Sequence, residues 1–199
     1  MPEHLILASG SQARRELLRN AGLAFDAEPA RVDERAIENG LPAEMRTPAG
    51  IAEQLAIAKA REVSVRHPGT IVIGCDQTMS LGDQLFHKAP DRAHAHATLK
   101  TLRGQTHHLN SAVCLVRDGE VLWSHVGIAR MSMRDFTTSF LDQYLDRNLV
   151  RILGSVGCYQ LEGEGIQLFD AVDGDYFTIL GLPILPLLAE LRTLGINHA

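Results

Sequence analysis

The sequence has few cysteines and no excess of basic residues, and both deficits narrow its possible functions. Its three cysteines, Cys75, Cys114 and Cys158, form no CxxC pair, which is typical of reduced thiols in a core rather than of a zinc site. A nucleophilic cysteine is the alternative, but no Cys–His pairing can be read from the sequence. The 19 basic residues face 24 acidic ones, a balance that argues against a general nucleic-acid binder. A small polyphosphate ligand is compatible with this charge balance, because a few cations in a cleft create a local positive potential.

Long apolar runs, internal repeats and common nucleotide-binding signatures are also missing. No apolar run approaches the length that a bilayer span needs, and the N-terminus makes a poor signal peptide, so we expect a cytoplasmic protein without a membrane partner. There is no Walker motif, and the glycine-rich segment 159–165 lacks the strand–turn–helix setting of a dinucleotide fingerprint. The 199 residues, 45% of them apolar, fit one domain or two small lobes that share a core.

Periodicity and turn signals predict an α/β protein with a mixed sheet flanked by helices. Strands alternate with helices, yet Gly82-Asp83 and Asp118-Gly119 each indicate a hairpin, so parallel and antiparallel pairs should coexist. Predicted strands cover residues 4–9, 24–29, 70–75, 106–116 and 120–133. Helices are predicted over 12–21, from Thr47-Pro48 to about His67, over 91–103, through Phe136, Phe140 and Tyr144, and between Pro183 and Gly195. Asp33 and Glu34 are expected in a loop.

The segment LILASGSQARRELL, residues 5–18, predicts an anion-binding junction. An apolar strand breaks at Ser9-Gly10-Ser11, and the following helix carries Arg14 and Arg15 in its first turn. Backbone N–H groups at a helix N-terminus point towards a ligand there, and the helix dipole favours negative charge. Arginine adds forked donors that match phosphate oxygens. The segment therefore indicates a phosphate-bearing ligand.

Three charged residues elsewhere are candidates for the chemistry, and each also has a purely structural explanation. Asp76 follows the apolar strand TIVIGC, where a carboxylate can act as a general base, bind a metal or simply cap a turn. Lys59 shares a helical stripe with apolar residues spaced by four, so it must extend outward to solvent or meet an anion. Lys88, in the stiff loop before Pro90, can contact phosphate or be solvated.

Histidines and the glycine-rich segment supply weaker signals. His94 and His96 lie two positions apart on a helix, so they face different directions and we do not expect a metal pair. The neighbours His107 and His108 lie on a strand, so at most one of them reaches a site. Segment 159–165, dense in glycine and carboxylate, can cradle a ligand or bring a carboxylate to a metal.

Taken together, the motifs resemble those of the Maf family of nucleoside triphosphate pyrophosphatases. They occur in the family's order and cover nearly the whole chain: ASGSQARRELL, VDE at 32–34, Lys59 within LAIAKA, IGCDQ at 73–77, HKAP at 87–90, LRGQTHH at 102–108 and YQLEGEG…GDYFTILGLPILPLL at 159–188. The resemblance implies a single domain over residues 1–199, with two lobes, a central cleft and a fold similar to inosine-triphosphatase-like enzymes. It also implies hydrolysis between the α- and β-phosphates, giving a nucleoside monophosphate and pyrophosphate with Mg²⁺ or Mn²⁺.

The resemblance further implies roles for individual residues. Asp76 corresponds to the family's proton acceptor, and our own hypothesis places the metal near Glu34 and Asp76. The implied catalytic residues are Asp76, Lys59, Lys88 and Glu34. The implied substrate-binding residues are Ser9, Ser11, Ala13, Arg14, Arg15, Gln77 and Glu162.

Substrate choice in the family is tied to positions occupied here by Ala13, Gln77 and Glu162. Gln77 with Glu162 is similar to the branch acting on 7-methyl-GTP, and a carboxylate can stabilise the positive charge of a methylated guanine. The dTTP/UTP branch would have Thr after the aspartate and Gln in place of Glu162. Ala13 departs from both branches, which place a large side chain there, while Gln12 and His87 replace the usual Pro and Gly.

Several alternatives stay open at this point. A dTTP/UTP pyrophosphatase of the same family is one, and a non-catalytic nucleotide sensor involved in division arrest is another. A sugar-nucleotide transferase would also use a phosphate-binding turn and a strand-end carboxylate, although nothing in the sequence indicates an acceptor-sugar module. A nucleoside triphosphate is the expected small-molecule partner, and a homodimer is a further expectation.

Overall fold

Seven strands form one sheet in the computed structural model, which describes residues 4–196. The strands are β1 (Leu5–Leu7), β2 (Asp26–Ala27), β3 (Ile71–Leu81), β4 (Gln84–Phe86), β5 (Thr106–Arg117), β6 (Glu120–Met133) and β7 (Phe169–Asp173). The α-helices are α1 (Gln12–Asn20), α2 (Glu34–Gly40), α3 (Pro48–Arg66), α4 (Arg92–Leu102), α5 (Thr138–Ile152), α6 (Tyr176–Ile179) and α7 (Ile184–Thr193), and Ala43–Met45 and Glu164–Leu168 form 3₁₀ turns.

The sheet is mixed, as the two hairpin signals predicted. Its strand order is β2-β1-β3-β5-β6-β7, and β4 pairs with β3. Strand β1 runs parallel to both β2 and β3, whereas the β3–β4 and β6–β7 pairs are antiparallel. At the β5–β6 turn, Asp118 and Gly119 have φ of 51° and 80°, the backbone that a two-residue hairpin favours. The predicted α/β sheet flanked by helices is therefore confirmed.

Helices cover both faces of the strands around β1, because alternate residues point to opposite faces. On one face, Leu5, Leu7 and Ile73 pack in a buried cluster with Leu18 of α1 and Leu187 of α7. The other face carries a second buried cluster that includes α3, with members Ile6, Ala8, Val72, Cys114, Ala52, Ala56, Ala60 and Val63. Burial on both faces explains why β1 and the first half of β3 are continuous apolar runs.

The packing of Cα atoms divides the chain into two compact units. Unit 1 contains the residues up to Gln77, Asn110–Ile128 and the residues from Asp175 onward, whereas unit 2 contains Thr78–Leu109 and Ala129–Gly174. Strands β3, β5 and β6 therefore contribute residues to both units. Two units agree with the two lobes that the resemblance implies, while the cleft and the single domain over residues 1–199 stay predictions.

The structure differs from the sequence prediction at β3 and α2. Strand β3 continues through Asp76 to Leu81, because its second half pairs with β4 in the hairpin, so Asp76 does not follow a strand end. Asp33 lies in the expected loop, but Glu34 does not: Asp33 caps α2 by accepting a hydrogen bond from Ala36 N at 3.0 Å, and Glu34 is the first residue of that helix. Within residues 4–196, no helix combines the length and apolar character that crossing a bilayer requires.

Candidate active site

The turn after β1 is organised by two serine hydroxyls. Ser9 is 7% exposed, and its Oγ accepts hydrogen bonds from Ser11 N at 3.2 Å and from Arg14 Nη1 at 3.4 Å. Ser11 caps α1, since its Oγ accepts from Arg14 N at 3.4 Å. The strand–turn–helix junction predicted from the sequence is therefore present, with both serines shaping it.

Arg14 is anchored to the main chain of two other segments. Its Nε donates to the Gly181 carbonyl at 2.8 Å, and its Nη1 donates to the Cys75 carbonyl at 3.1 Å as well as to Ser9. A guanidinium has five N–H donors, and these hydrogen bonds use those on Nε and Nη1. Arg15 extends along the turn, where its Nη2 donates to the Gly10 carbonyl at 3.3 Å.

Lys59 joins two carboxylates that are far apart in the sequence. Its ammonium lies 2.5 Å from Asp76 Oδ1 and 2.6 Å from Glu34 Oε1. The side chains of Lys59 and Asp76 are only 14% and 10% exposed, whereas that of Glu34 is 53% exposed. The prediction that this lysine either reaches solvent or meets an anion is resolved, because it meets two. Asp76, Lys59 and Glu34 thus form one cluster, called here the carboxylate–lysine cluster.

A close approach of α3 to β3 forms this cluster. Gly74 lies in β3, and a Cβ there would come within 2.2 Å of the Ala56 carbonyl oxygen and 2.8 Å of the Ala60 Cβ. Only glycine leaves room for the helix backbone at this distance. Since Lys59 lies between these alanines on α3, the contact sets the distance between Lys59 and Asp76.

Asp76 and Gln77 project to opposite faces of β3. Asp76 meets Lys59 on the α3 face, whereas Gln77 contacts Ser111 and the main chain at Thr178 and Ile179. Both residues lie beyond the last β1–β3 pair, Leu7↔Ile73. The strand that ends beside them is therefore β1, and not β3 as the sequence predicted.

The buried cysteines are poor nucleophiles. Burial raises the pKa of the Cys75 thiol to about 11, although Arg14 and Lys59 lower it slightly. Burial likewise raises the pKa of Cys158 to about 11 and raises that of Cys114 further. All three thiols are therefore protonated at neutral pH and serve the core, as expected.

Two predicted site residues, Lys88 and Glu162, belong to unit 2, and both are exposed. Glu162 lies in a segment held by its neighbour Glu164, whose carboxylate accepts from Arg147 Nε at 3.0 Å and Asn148 Nδ2 at 2.8 Å. These two hydrogen bonds lower the pKa of Glu164. Glu164 therefore has a structural role, whereas the roles of Lys88 and Glu162 stay predictions.

The histidines have separate partners. His94 contacts Asp91 at 2.8 Å, and His96 lies 3.7 Å from Asp142. His107 is buried on β5, and its Nε2 lies 2.7 Å from the Tyr159 hydroxyl, so it belongs to the core of unit 2.

The carboxylates of the cluster are suited to a divalent metal only in part. Among residues 4–196, no three His, Cys, Asp or Glu side chains form a group that could hold an ion alone. Glu34 and Asp76 nevertheless supply two hard oxygen ligands that converge on one cation, the Lys59 ammonium. Mg²⁺ is commonly held by one or two carboxylates together with substrate phosphates. The residues therefore fit a metal that is shared with a bound phosphate chain.

Sequence reasoning missed four residues that support the site: Gly74, Ser111, Thr178 and Gly181. The last two belong to the GDYFTILGLP segment, which contributed to the resemblance but received no role. A local signal was available, because Asp175 precedes Thr178 by three residues, the spacing of a helix cap. No such signal marks Ser111, since its partners lie 34 and 67 residues away.

Among solved structures, the chain is similar to a nucleoside-triphosphatase / dITP/XTP pyrophosphatase from Mycobacterium abscessus. The identity is 15% and the TM-score is 0.44, with 97% of this chain and 95% of that chain covered.

Relatives by sequence are much closer. A 7-methyl-GTP pyrophosphatase of Mesorhizobium japonicum is 58% identical and one of Rhizobium etli is 57% identical, each over 195 residues and 98% of both chains. A nucleoside triphosphate pyrophosphatase of Paramagnetospirillum magneticum is 51% identical, over 96% of this chain and 98% of that protein. Residues 4–194 match the family described as Maf-like protein. On this match and these identities, the chain belongs to the Maf family.

Proposed function

We propose that the protein hydrolyses a nucleoside triphosphate between its α- and β-phosphates, releasing a nucleoside monophosphate and pyrophosphate. The carboxylate–lysine cluster carries the proposal, because a nearly buried carboxylate beside an ammonium provides both a base and a positive charge. The relatives named as pyrophosphatases, which match over nearly their full length, support it.

Phosphate binding is assigned to the turn Ser9–Arg15 with Lys59 and Lys88. Arg14 Nη1 donates to the Cys75 carbonyl, so its guanidinium reaches the backbone adjoining Asp76. A phosphate on the remaining Nη2 donors would therefore lie near the proposed base. Phosphoryl transfer requires mainly positioning and charge neutralisation, which fixed cations supply.

Asp76 is the proposed general base. Its Oδ1 is held by Lys59, and Oδ2 is the oxygen that takes a proton from the attacking water. The water oxygen bonds to the α-phosphorus, the bond to the α–β bridging oxygen breaks, and pyrophosphate leaves with that oxygen. Glu34 and Asp76 would hold Mg²⁺ or Mn²⁺, which when bound neutralises phosphate charge. General-base catalysis supplies about 10²–10⁴-fold, so the cations must supply much of the remainder.

A modified guanine nucleotide such as 7-methyl-GTP is the proposed substrate. Gln77 and Glu162 are the assigned base contacts, and the relatives from Mesorhizobium japonicum and Rhizobium etli are named for this activity. A carboxylate at Glu162 would stabilise the positive charge of a methylated base. A cytoplasmic location and a homodimer complete the proposal, and light scattering would test the dimer.

The test is pyrophosphate release from a panel containing 7-methyl-GTP, GTP, UTP, CTP and dTTP, with Mg²⁺ and Mn²⁺ compared against EDTA. We expect release with either metal and the highest kcat/KM for 7-methyl-GTP. Best turnover of UTP or dTTP would assign the protein to the other branch. Tight nucleotide binding without release would favour the non-catalytic sensor and refute the proposal.

The matched variants are Asp76→Asn and Asp83→Asn. Asp83 is an exposed carboxylate in the β3–β4 turn, so the same chemical change there should leave turnover unchanged. Loss of the base in Asp76→Asn should lower kcat at least about 100-fold. Near-normal turnover in a folded Asp76→Asn protein would show that the assigned role is wrong.

A further inference from the structure

The amide of Gln77 is held in one orientation by three acceptors. Its two Nε2–H groups are shared among Ser111 Oγ at 2.8 Å, the Ile179 carbonyl at 3.0 Å and the Thr178 carbonyl at 3.3 Å. Ser111 Oγ itself donates to the Thr178 carbonyl at 2.7 Å, so its proton is committed. Turning the amide over would bring Oε1 against two carbonyl oxygens and a hydroxyl with no proton to offer. The nitrogen must therefore point into this network.

The acceptors are themselves fixed. Ser111 is fully buried on β5, and Thr178 is 4% exposed. Asp175 fixes Thr178, because its Oδ2 accepts from Thr178 N at 2.8 Å and from Thr178 Oγ1 at 3.0 Å. Leaving a buried polar group unpaired costs more than an ordinary hydrogen bond contributes, so the network resists rearrangement.

The turn that orients Gln77 also holds the phosphate-binding arginine. The Gly181 carbonyl, three residues after Thr178, accepts from Arg14 Nε at 2.8 Å. Gly127 allows β6 to approach this turn, because a Cβ there would come within 2.7 Å of Thr178 Oγ1. One turn thus positions both the assigned base contact and the assigned phosphate contact.

The geometry points to Ser111 and the turn Thr178–Gly181 as positioning residues that present Gln77 to the substrate only as a hydrogen-bond acceptor. This inference rests on the proposed function, in which Gln77 meets the nucleotide base. With Nε2 committed, Oε1 is the atom that receives the base. An acceptor oxygen at this place favours guanine and uracil, whose ring nitrogen at that edge carries a hydrogen. Adenine and cytosine have a ring nitrogen without a hydrogen at the same edge, so they should bind less well. Without Ser111, only the two carbonyls hold Nε2, so the amide is oriented less strictly and discriminates less between the two kinds of base.

The first test measures kcat/KM for GTP against ATP and for UTP against CTP. The wild type should prefer GTP and UTP, and Ser111→Ala should reduce both preferences at least about fivefold, with a smaller change in kcat for GTP. Ser111→Thr, which keeps the hydroxyl, should restore them. The control is Ser64→Ala, which removes a buried α3 hydroxyl that accepts a hydrogen bond from Gly119 N at 3.1 Å, and it should leave both ratios unchanged.

The second test needs no activity. The side-chain amide protons of Gln77, identified by their loss in Gln77→Leu, should exchange with deuterium at least about tenfold more slowly than those of the exposed Gln84. In Ser111→Ala the protection should fall. If wild-type Gln77 exchanges as fast as Gln84, the positioning role is refuted, whether or not Ser111→Ala folds.

The two tests separate the possible failures. A wild type that releases no pyrophosphate from any nucleotide refutes the proposed function, while the exchange measurement still decides how Gln77 is held. A wild type that is active, with nucleotide ratios that stay the same in folded Ser111→Ala, refutes only this inference.

Discussion

The ammonium of Lys59 and the carboxylate of Asp76 lie 2.5 Å apart, on a helix and a strand separated by 17 positions in the sequence. Both side chains are nearly buried, so each depends on the other to offset the loss of water. Removing one partner should therefore destabilise the fold even without substrate, so the effect of the pair on folding can be measured apart from its effect on turnover.

Lys59→Met should lower both stability and activity. An unpaired Asp76 carboxylate should reduce the free energy of unfolding by about 3 kcal/mol, and loss of the cation should lower kcat/KM at least about 100-fold. The chain has three lysines, and Lys100→Met, at an exposed position of α4, is the matched control that should change neither. Urea unfolding and pyrophosphate release measure the two effects. In the Asp76→Asn background the stability loss should shrink, and equal losses in both backgrounds would show that the pair is not coupled.

Gly74→Ala should separate α3 from β3. The added methyl would overlap the Ala56 carbonyl and the Ala60 side chain, so the free energy of unfolding should fall by about 1–3 kcal/mol. Turnover should fall as well, because Lys59 moves with its helix. Gly40→Ala, where a Cβ meets nothing within 4 Å, is the control. Full activity in Gly74→Ala would mean that the close approach does not set the cluster's geometry.

Gly181→Ala tests the anchoring of Arg14. Gly181 has φ of +93°, and an added Cβ would lie 3.4 Å from Arg14 Nε. Gly195→Ala is a matched control, because its φ of +72° carries a similar backbone penalty but no atom lies within 4 Å. Both variants should lose about 1–2 kcal/mol of stability, and only Gly181→Ala should raise KM for the nucleotide. An equal KM in the two variants would argue against a role for this anchor in binding.

His107 should make the protein less stable in mild acid. Burial, and to a smaller extent His108, lowers the pKa of His107 from 6.5 to about 4. The unfolded chain therefore binds this proton more readily than the folded protein does. The contribution of neutral His107 to the free energy of unfolding is complete above pH 6.5 and is lost as pH falls towards 4. The loss should total about 3 kcal/mol.

Urea unfolding between pH 4.5 and 7 checks this expectation. His107→Gln should flatten the pH dependence of the unfolding free energy. The same slope in wild type and His107→Gln would assign the acid sensitivity to another group.

Local patterns in the sequence determined most elements. Capping and stop signals placed α1, α3 and α4 within a residue or two, and the Asp118-Gly119 hairpin fell where the turn signal indicated. These features depend on neighbouring residues, so they can be predicted without knowledge of the tertiary structure. The end of β3 could not be predicted in this way. Polar Asp76 and Gln77 interrupt the apolar run, but hairpin pairing with β4 continues the strand beyond them.

The sequence alone therefore determined the alternation of strands and helices, the serine–arginine turn and the charged candidates, since each is encoded within a few neighbouring residues. Only the tertiary structure decided that Lys59 meets both Asp76 and Glu34, that Gly74 admits α3, and that Ser111 and the turn after Asp175 hold Gln77 and Arg14. Those contacts join residues up to 167 positions apart, and their distances depend on how helices pack on the sheet, which no local pattern specifies.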